Sequence, residues 1–421
     1  MIDQPRKFLE TLFNEAVHAA DPKLIIEPFI PEPPKGKTVV VGVGKAAAKL
    51  ALALETRFKG ALSGVVVTPY GYGVECKYIR VIEASHPLPD SNGVLASQAI
   101  FSIVKNLTSD DLVIALVCGG GSALLAAPPG NLTIQDEIIL NKILLSSGLP
   151  ISKMNLIRKH VSNIKGGKLA LACRPAKVIT LVLSDVPGDE LYQVASGPTI
   201  ADSADRERAL LEVTLNNLQL PTNIMTHLNS ANAESPVPND LKKLGHEVHM
   251  IGSAYKSLTA AKKKAEKLGL KAFILSDSIE GESRDVANMH AAIVNQISRY
   301  DHPFERPVVL LSGGETTVTL KDFSGRGGRN TEFLLAFILS LNASFSIVAL
   351  AADTDGIDGS ETNAGAFCDS RTLTKIQDKG LNARELLLNH NSYLAFEAAD
   401  SLFFTGSTGT NVNDFRAILI T

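Results

Sequence analysis

The segment Lys37-Thr-Val-Val-Val-Gly-Val-Gly-Lys45-Ala-Ala-Ala constrains the fold more than any other. A short run of β-branched residues, closed by glycines and followed by helix formers, reads as a buried strand, a tight turn and a helix. The same grammar recurs where Val113–Val117 runs into Cys118-Gly-Gly-Gly-Ser122, where Val178–Leu183 runs into Ser184-Asp-Val-Pro-Gly-Asp189, and where Pro307–Leu311 runs into Ser312-Gly-Gly-Glu-Thr-Thr317. Turns of this kind aim backbone N–H groups at one point, and Lys45 adds a full positive charge there. The chain therefore reads as an α/β protein with loops suited to an anionic small molecule and a nucleotide.

The strand and helix rhythm extends through both halves. Phe8–Ala20 reads as an opening helix. Thr38–Val41, Gly64–Thr68, Tyr78–Glu83, Leu112–Val117 and Val178–Leu183 read as strands, with helices at Ala46–Phe58, Gly93–Asn106 and Ile134–Ser147. This predicts a Rossmann-like, mainly parallel sheet covered on both faces. The stretch Leu220–Asp240, rich in Pro, Asn and Ser, reads as a linker. Beyond it the rhythm restarts. Glu247–Gly252, Ala272–Leu275, Pro307–Leu311 and Ser346–Ala351 read as strands, and Tyr255–Leu268 and Asp285–Ser298 as helices. The expected division is residues 1–235 and a smaller α/β domain, 236–421, whose last residues pack back on the first. The expected site lies in the cleft between them.

Charge and cysteine usage narrow the function classes. A chain of 421 residues with a formal net charge of −3 argues against a nucleic-acid or anionic-membrane partner held by bulk charge. Its four cysteines form no C-x-x-C, as expected for free thiols in a reducing compartment. Met1–Lys7 lacks the apolar core of a signal peptide, and no apolar run of about 18 residues appears. The expectation is a cytoplasmic, soluble protein.

Two standard fingerprints fail at Lys45. Gly42–Ala47 satisfies G-x-G-x-x-G/A, but the next strand, Ser63–Pro69, ends without the acid that holds a ribose. Gly44-Lys45 is followed by Ala46, where a Walker loop needs Ser or Thr. Elsewhere Asp185 and Asp189 suit Mg²⁺ shared with phosphates, or act as turn and helix caps. Arg158-Lys-His160 with Lys165-Gly-Gly-Lys168 reads as a solvated basic face, or as an anion contact favoured by the glycine pair. Gly325-Arg-Gly-Gly-Arg-Asn330 puts arginines among glycines at a helix start, a phosphoryl clamp or a mobile loop. Asp353–Asp358 is acidic without the glutamate an EF-hand needs.

Taken together these motifs resemble the glycerate 2-kinases of the MOFRL type. The resemblance spans nearly the whole chain. Its carriers are Gly44-Lys45-Ala46, His86-Pro-Leu-Pro-Asp90, Cys118–Ser122, Lys165–Lys168, Ser184–Asp189, Ser196-Gly-Pro-Thr199, Ser312–Thr316, Gly327–Asn330, Asp355–Gly359 and Thr405–Asp414. The chain departs from the pattern at Thr331, Asp353 and Ser407.

The resemblance implies ATP-dependent phosphorylation of D-glycerate to 2-phosphoglycerate, with a divalent cation such as Mg²⁺. It places the essential lysine at Lys45 and the essential arginine at Arg329, with Arg326 as helper. Asp189, aided by Asp185, would hold the metal, and Asp189 or His86 would serve as base. Nucleotide and substrate contacts would come from Gly44, His86, Gly119, Gly120, Gly121, Ser122, Lys165, Ser312, Gly313, Gly314, Glu315, Arg326 and Asn330. The alternatives are an NAD(P)H-dependent hydroxypyruvate reductase, which the missing ribose acid disfavours, and a non-catalytic nucleotide or organic-acid sensor.

Overall fold

The computed structural model describes residues 3–320, 325–342 and 346–421; the first two residues of Met1–Lys7 lie outside this range. It divides into two compact units, Pro22–Ile251 and Met1–Asp21 with Gly252–Thr421. This corrects the expected boundary at both ends. Helix Pro5–His18 is amphipathic and needs an apolar partner. It finds one in helix Ala254–Lys267 and sheet residues such as Phe403 and Phe415, against which Phe13 packs edge-on at 5.2 and 5.7 Å. The Leu220–Asp240 stretch is no linker. It forms helices Thr222–Leu228 and Pro238–Lys242, whose Ile224, Leu228 and Leu241 are buried within the Pro22–Ile251 unit.

The Pro22–Ile251 unit is built on six strands: β1 (Thr38–Val43), β2 (Leu62–Pro69), β3 (Ile79–Ala84), β4 (Leu112–Cys118), β5 (Lys177–Leu183) and β6 (Glu247–Gly252). Their order is β3-β2-β1-β4-β5-β6, and the pairs from β3 through β5 are parallel. Strands buried on both faces need continuous apolar runs, and β1 and β4 are buried at every position. Chain order reverses between β1 and β4, where Val43 pairs with Val117. In an open α/β sheet that reversal opens a crevice at the strands' carboxyl ends.

The other unit carries β7 (Lys271–Glu282), β8 (Val308–Thr317), β9 (Ile347–Asp353), β10 (Gly365–Asp369), β11 (Leu402–Phe403) and β12 (Asp414–Ile420), ordered β11-β10-β9-β12-β8-β7. Only β7 and β8 pair in parallel; the other pairs are antiparallel. The carboxyl-terminal strand β12 sits between β8 and β9, so the last residues complete this unit's own sheet. Helices Ser283–Tyr300 and Arg329–Ser340 cover one face, and helices Pro5–His18 and Ala254–Lys267 cover the other. No helix among the described residues is long and apolar enough to cross a membrane.

Candidate active site

Four strand ends bring the first set of groups together. β1 leaves its last residue into Gly44 and Lys45, and Gly44 takes φ = +117°. A β-carbon there would lie 2.4 Å from the Cys118 carbonyl oxygen, so only glycine lets the β1 and β4 turns approach this closely. The Lys45 N–H donates to the Gly119 carbonyl at 2.9 Å and locks the two turns. A β-carbon on Gly120 would fall 3.3 Å from Lys45 Cγ and 3.6 Å from His86 Cε1. His86 arrives just beyond the end of β3. Asp185, just beyond β5, lies against the same turn, since a β-carbon on Gly119 would fall 1.6 Å from its Oδ2. Lys45, His86, Gly119–Gly121 and Asp185 thus converge at the topological switch.

A polar relay leads inward from this point. Ser122 Oγ and Ser196 Oγ are 2.8 Å apart, and Ser196 Oγ donates to Asn155 Oδ1 at 2.9 Å. Arg158 Nη1 donates to the same Asn155 oxygen at 3.0 Å, and its Nε donates to Asn141 Oδ1 at 2.9 Å. Ala195 and Ser196 both adopt positive φ, 53° and 59°. Such conformations cost non-glycine residues roughly 1–3 kcal/mol each and persist where surrounding structure enforces them. Here the Ser196 carbonyl accepts from Gly166 N–H at 3.0 Å and the Gly197 carbonyl from Gly167 N–H at 2.7 Å.

Lys45 and Arg158 both act on His86. His86 is exposed, yet partial burial of its ring, with Lys45 and Arg158 nearby, pushes its pKa down to about 4. The imidazole is therefore neutral near pH 7. Burial also pushes Arg158 down to about 10, against the pull of Glu137. All four cysteines are free. Burial raises each thiol, Cys76 to about 11 and Cys173 to about 12, which leaves no reactive thiolate among them.

The second set surrounds Arg329, the first residue of helix Arg329–Ser340. Its guanidinium meets Asp414 at 2.7 Å, Asp353 at 2.6 Å and Glu315 at 2.8 Å. Burial opposes the charge, but Asp414, Asp353 and Glu315 outweigh it and hold Arg329 well above its ordinary pKa. Burial drives Asp353 well upward despite Arg329, with Asp355 and Asp414 adding to the shift. Asp414 also touches Arg416 at 2.6 Å, and the two arginines together overcome burial to keep it low. Asp358 is a helix cap: its carboxylate accepts from the N–H groups of Asn330 and Thr331, each at 2.9 Å.

Several expected contacts are corrected. Ser312–Thr317 is no turn but the end of β8, paired with β7 and β12. Gly313 and Gly314 serve strand packing. Gly314 has φ = +118°, and a β-carbon there would lie 2.2 Å from the Ile279 carbonyl oxygen. Ser312 is buried and bonded to His290 Nε2 at 3.0 Å. Lys165 is 1% exposed, with its ammonium 2.7 Å from Glu137 Oε1 and 2.8 Å from the Leu125 carbonyl, so its role is structural. Asn330 is wholly buried and donates its amide to Asp414 at 2.8 Å. Arg326 stays outside the Arg329 cage. It forms a two-point pair with Glu361 at 2.9 and 3.1 Å and lies over the Tyr393 ring at 4.5 Å.

The basic face around residue 158 is also not a solvated surface. Lys159 pairs with Asp202, and Lys168 donates to the Lys159 and Ser162 carbonyls at 3.0 and 2.6 Å. Asn155 is the member of this relay that the sequence does not announce; Arg158 and Ser196 lie in the basic and Ser196-Gly-Pro-Thr199 segments named above. The usable signal was the polar sequence Ser196-Gly-Pro-Thr199 directly after a strand-end loop.

The metal expectation rests on two acids. Asp185 sits at the Gly119 turn. Asp189, on the same loop, has φ = 55° and precedes a short 3₁₀ segment that has no side-chain cap. Among the described residues no group of three or more His, Cys, Asp or Glu side chains could hold a metal ion alone. A divalent cation here would need its other ligands from bound phosphates and water.

The fold and the first set make an α/β protein with a glycine-lined candidate anion site, holding Lys45, at a sheet's topological switch. Comparison with known proteins carries this further. The profile described as "Domain of unknown function (DUF4147)" matches residues 8–229, and that of the MOFRL family matches residues 308–414. A Pyrococcus horikoshii glycerate 2-kinase is 38% identical over 410 residues, covering 96% of this chain and 92% of the relative. An Agrobacterium vitis protein provisionally named a hydroxypyruvate reductase is 44% identical over 420 residues, covering 99% and 94%. The crystal structure of a Thermotoga maritima glycerate kinase superposes with a TM-score of 0.88 at 32% identity, covering 100% of both chains. The chain belongs to the MOFRL-type glycerate 2-kinase family.

Proposed function

We propose that this protein transfers the γ-phosphoryl group of ATP to the 2-hydroxyl of D-glycerate, giving 2-phosphoglycerate and ADP. The observation that carries the reading is the convergence of Lys45, His86 and the triglycine turn at the β1–β4 switch. Phosphoryl transfer asks chiefly for positioning and charge stabilisation. Lys45 is the cation assigned to the migrating group. The N–H groups of Gly119–Gly121 hold phosphate or carboxylate oxygens, with Gly44 keeping the turn tight. Asp185 and Asp189 would hold a divalent cation, whose chemistry when bound is to neutralise the nucleotide phosphates. The glycerate 2-hydroxyl oxygen forms the new P–O bond, the β–γ bridging bond breaks toward ADP, and the hydroxyl proton leaves to a base. Neutral His86 can accept that proton, and anionic ligands beside it would raise its low basicity. Asp189 is the alternative acceptor.

The reductase name of the Agrobacterium relative finds little support in this chain's residues. β2 ends at Thr68-Pro69 without a ribose acid. Glu83 on neighbouring β3 instead accepts from the Gly71 and Gly73 N–H groups, each at 2.9 Å. The purified protein should release ADP from ATP only when D-glycerate is added, and should consume no NADH or NADPH with hydroxypyruvate. Reduced-cofactor consumption without glycerate-dependent ADP would replace the kinase reading with the reductase.

A further inference from the structure

The buried guanidinium of Arg158 has no obvious structural reason to exist. It is 6% exposed, on helix Ile151–His160. It donates to two neutral side-chain amides, Asn141 at 2.9 Å and Asn155 at 3.0 Å, and among the described residues it forms no ion pair. The nearest acid acting on it is Glu137, which already pairs with Lys165 at 2.7 Å. Two buried cations thus share one carboxylate. A buried charge without a counter-charge is costly, which is why buried charges are normally paired. The other buried lysine of this region, Lys159, does have an acid of its own, Asp202.

Arg158 is also connected to the site. It shares the Asn155 oxygen with Ser196, which touches Ser122 beside the triglycine turn. Its field reaches His86 together with that of Lys45. A guanidinium presents a planar fork that matches a carboxylate at two points, whereas a lysine offers a point charge. The division of labour follows: Lys45 suits a phosphoryl group and Arg158 a planar anion.

We propose that Arg158 binds the carboxylate of the acceptor substrate and so selects a 2-hydroxy acid over a neutral polyol. This rests on the kinase reading above. It adds a specificity determinant on helix Ile151–His160.

The test separates the two claims. Steady-state kinetics on Arg158→Gln and Arg158→Lys should show the KM for D-glycerate rising roughly 10- to 100-fold, with the KM for ATP within about threefold of wild type. The lysine variant should fall between wild type and glutamine. Wild type should prefer D-glycerate to D-glyceramide, and Arg158→Gln should lose most of that preference. An unchanged glycerate KM, or equal rises for both substrates, overturns the assignment while leaving the kinase in place. Absence of glycerate-dependent ADP release by wild type overturns the kinase reading itself.

A wild-type measurement decides the matter should Arg158→Gln lose its fold. D-glycerate alone, without nucleotide, should raise the His86 titration midpoint seen by proton NMR, because a carboxylate at Arg158 offsets the charge that depresses it. No movement at saturating glycerate overturns the proposal.

Discussion

Lys165→Met distinguishes a structural ion pair from a ligand contact. The Lys165 ammonium lies 2.7 Å from Glu137 Oε1, both side chains are at most 4% exposed, and Glu137 Oε2 has no partner among the described residues. Removing the lysine breaks the contact ion pair of the buried Glu137 carboxylate and deprives the Leu125 carbonyl of a donor at 2.8 Å. Breaking a buried pair by deleting one partner costs about 3–5 kcal/mol. The unit spans residues 22–251, and for domains of that size each kcal/mol moves the midpoint about 2–4 °C. The expected fall is therefore about 6–20 °C by thermal denaturation followed by circular dichroism. Adding Glu137→Gln should recover at least half of it, since the uncompensated charge is the main cost. Assayed well below the midpoint, Lys165→Met should keep both KM values within about threefold of wild type. A variant with an unchanged midpoint and a glycerate or ATP KM raised more than about tenfold would refute this, and Lys165 would then contact ligand directly.

Other substitutions probe the remaining assignments. Lys45→Met should lower turnover by roughly 10²-fold or more with little change in melting temperature; turnover within a few-fold of wild type would make Lys45 structural. Asp189→Asn should raise the Mg²⁺ concentration needed for half-maximal rate at unchanged thermal stability, and an unchanged metal titration would move the cation elsewhere. Acid should destabilise the fold through His290, whose Nδ1–H donates to the Val286 carbonyl at 2.8 Å while Nε2 accepts from Ser312. Burial and the neighbouring Arg416 lower its pKa to about 4. The folded form therefore binds fewer protons than the unfolded chain. Stability is complete above pH 6.5 and declines as pH falls toward 4, by up to about 3 kcal/mol. Urea midpoints measured across that window should fall less steeply for His290→Gln; identical slopes would place the acid sensitivity elsewhere.

What the sequence disclosed follows from local rules. The β1, β4 and β5 runs were legible because strands buried on both faces must be continuously apolar, and glycines end them. Lys45, His86, Gly119–Gly121 and Asp185 could be named because each directly follows a strand's carboxyl end. The failures share a cause, which is that the deciding partner lies far away in sequence. Lys159 reads as solvated and Lys165 as a ligand contact because their acids, Asp202 and Glu137, stand 43 and 28 residues away. Arg158 looked like part of the same face because nothing local announces burial. Gly313 and Gly314 read as a turn because a glycine that admits a neighbouring strand looks the same in sequence as one that bends the chain. Helix Pro5–His18 showed an apolar face but not the partner it required, so its membership of the Gly252–Thr421 unit stayed hidden.

The central claim is the reaction itself, and the product tests it most directly. Purified protein incubated with ATP, Mg²⁺ and D-glycerate should yield equimolar ADP and 2-phosphoglycerate, seen in the phosphorus NMR spectrum as a phosphomonoester doublet coupled to the single proton on C2. Two-proton coupling would show transfer to the 3-hydroxyl and contradict the assigned position. A spectrum holding only unreacted ATP, alongside stoichiometric NADH or NADPH consumption with hydroxypyruvate, would contradict the account as a whole.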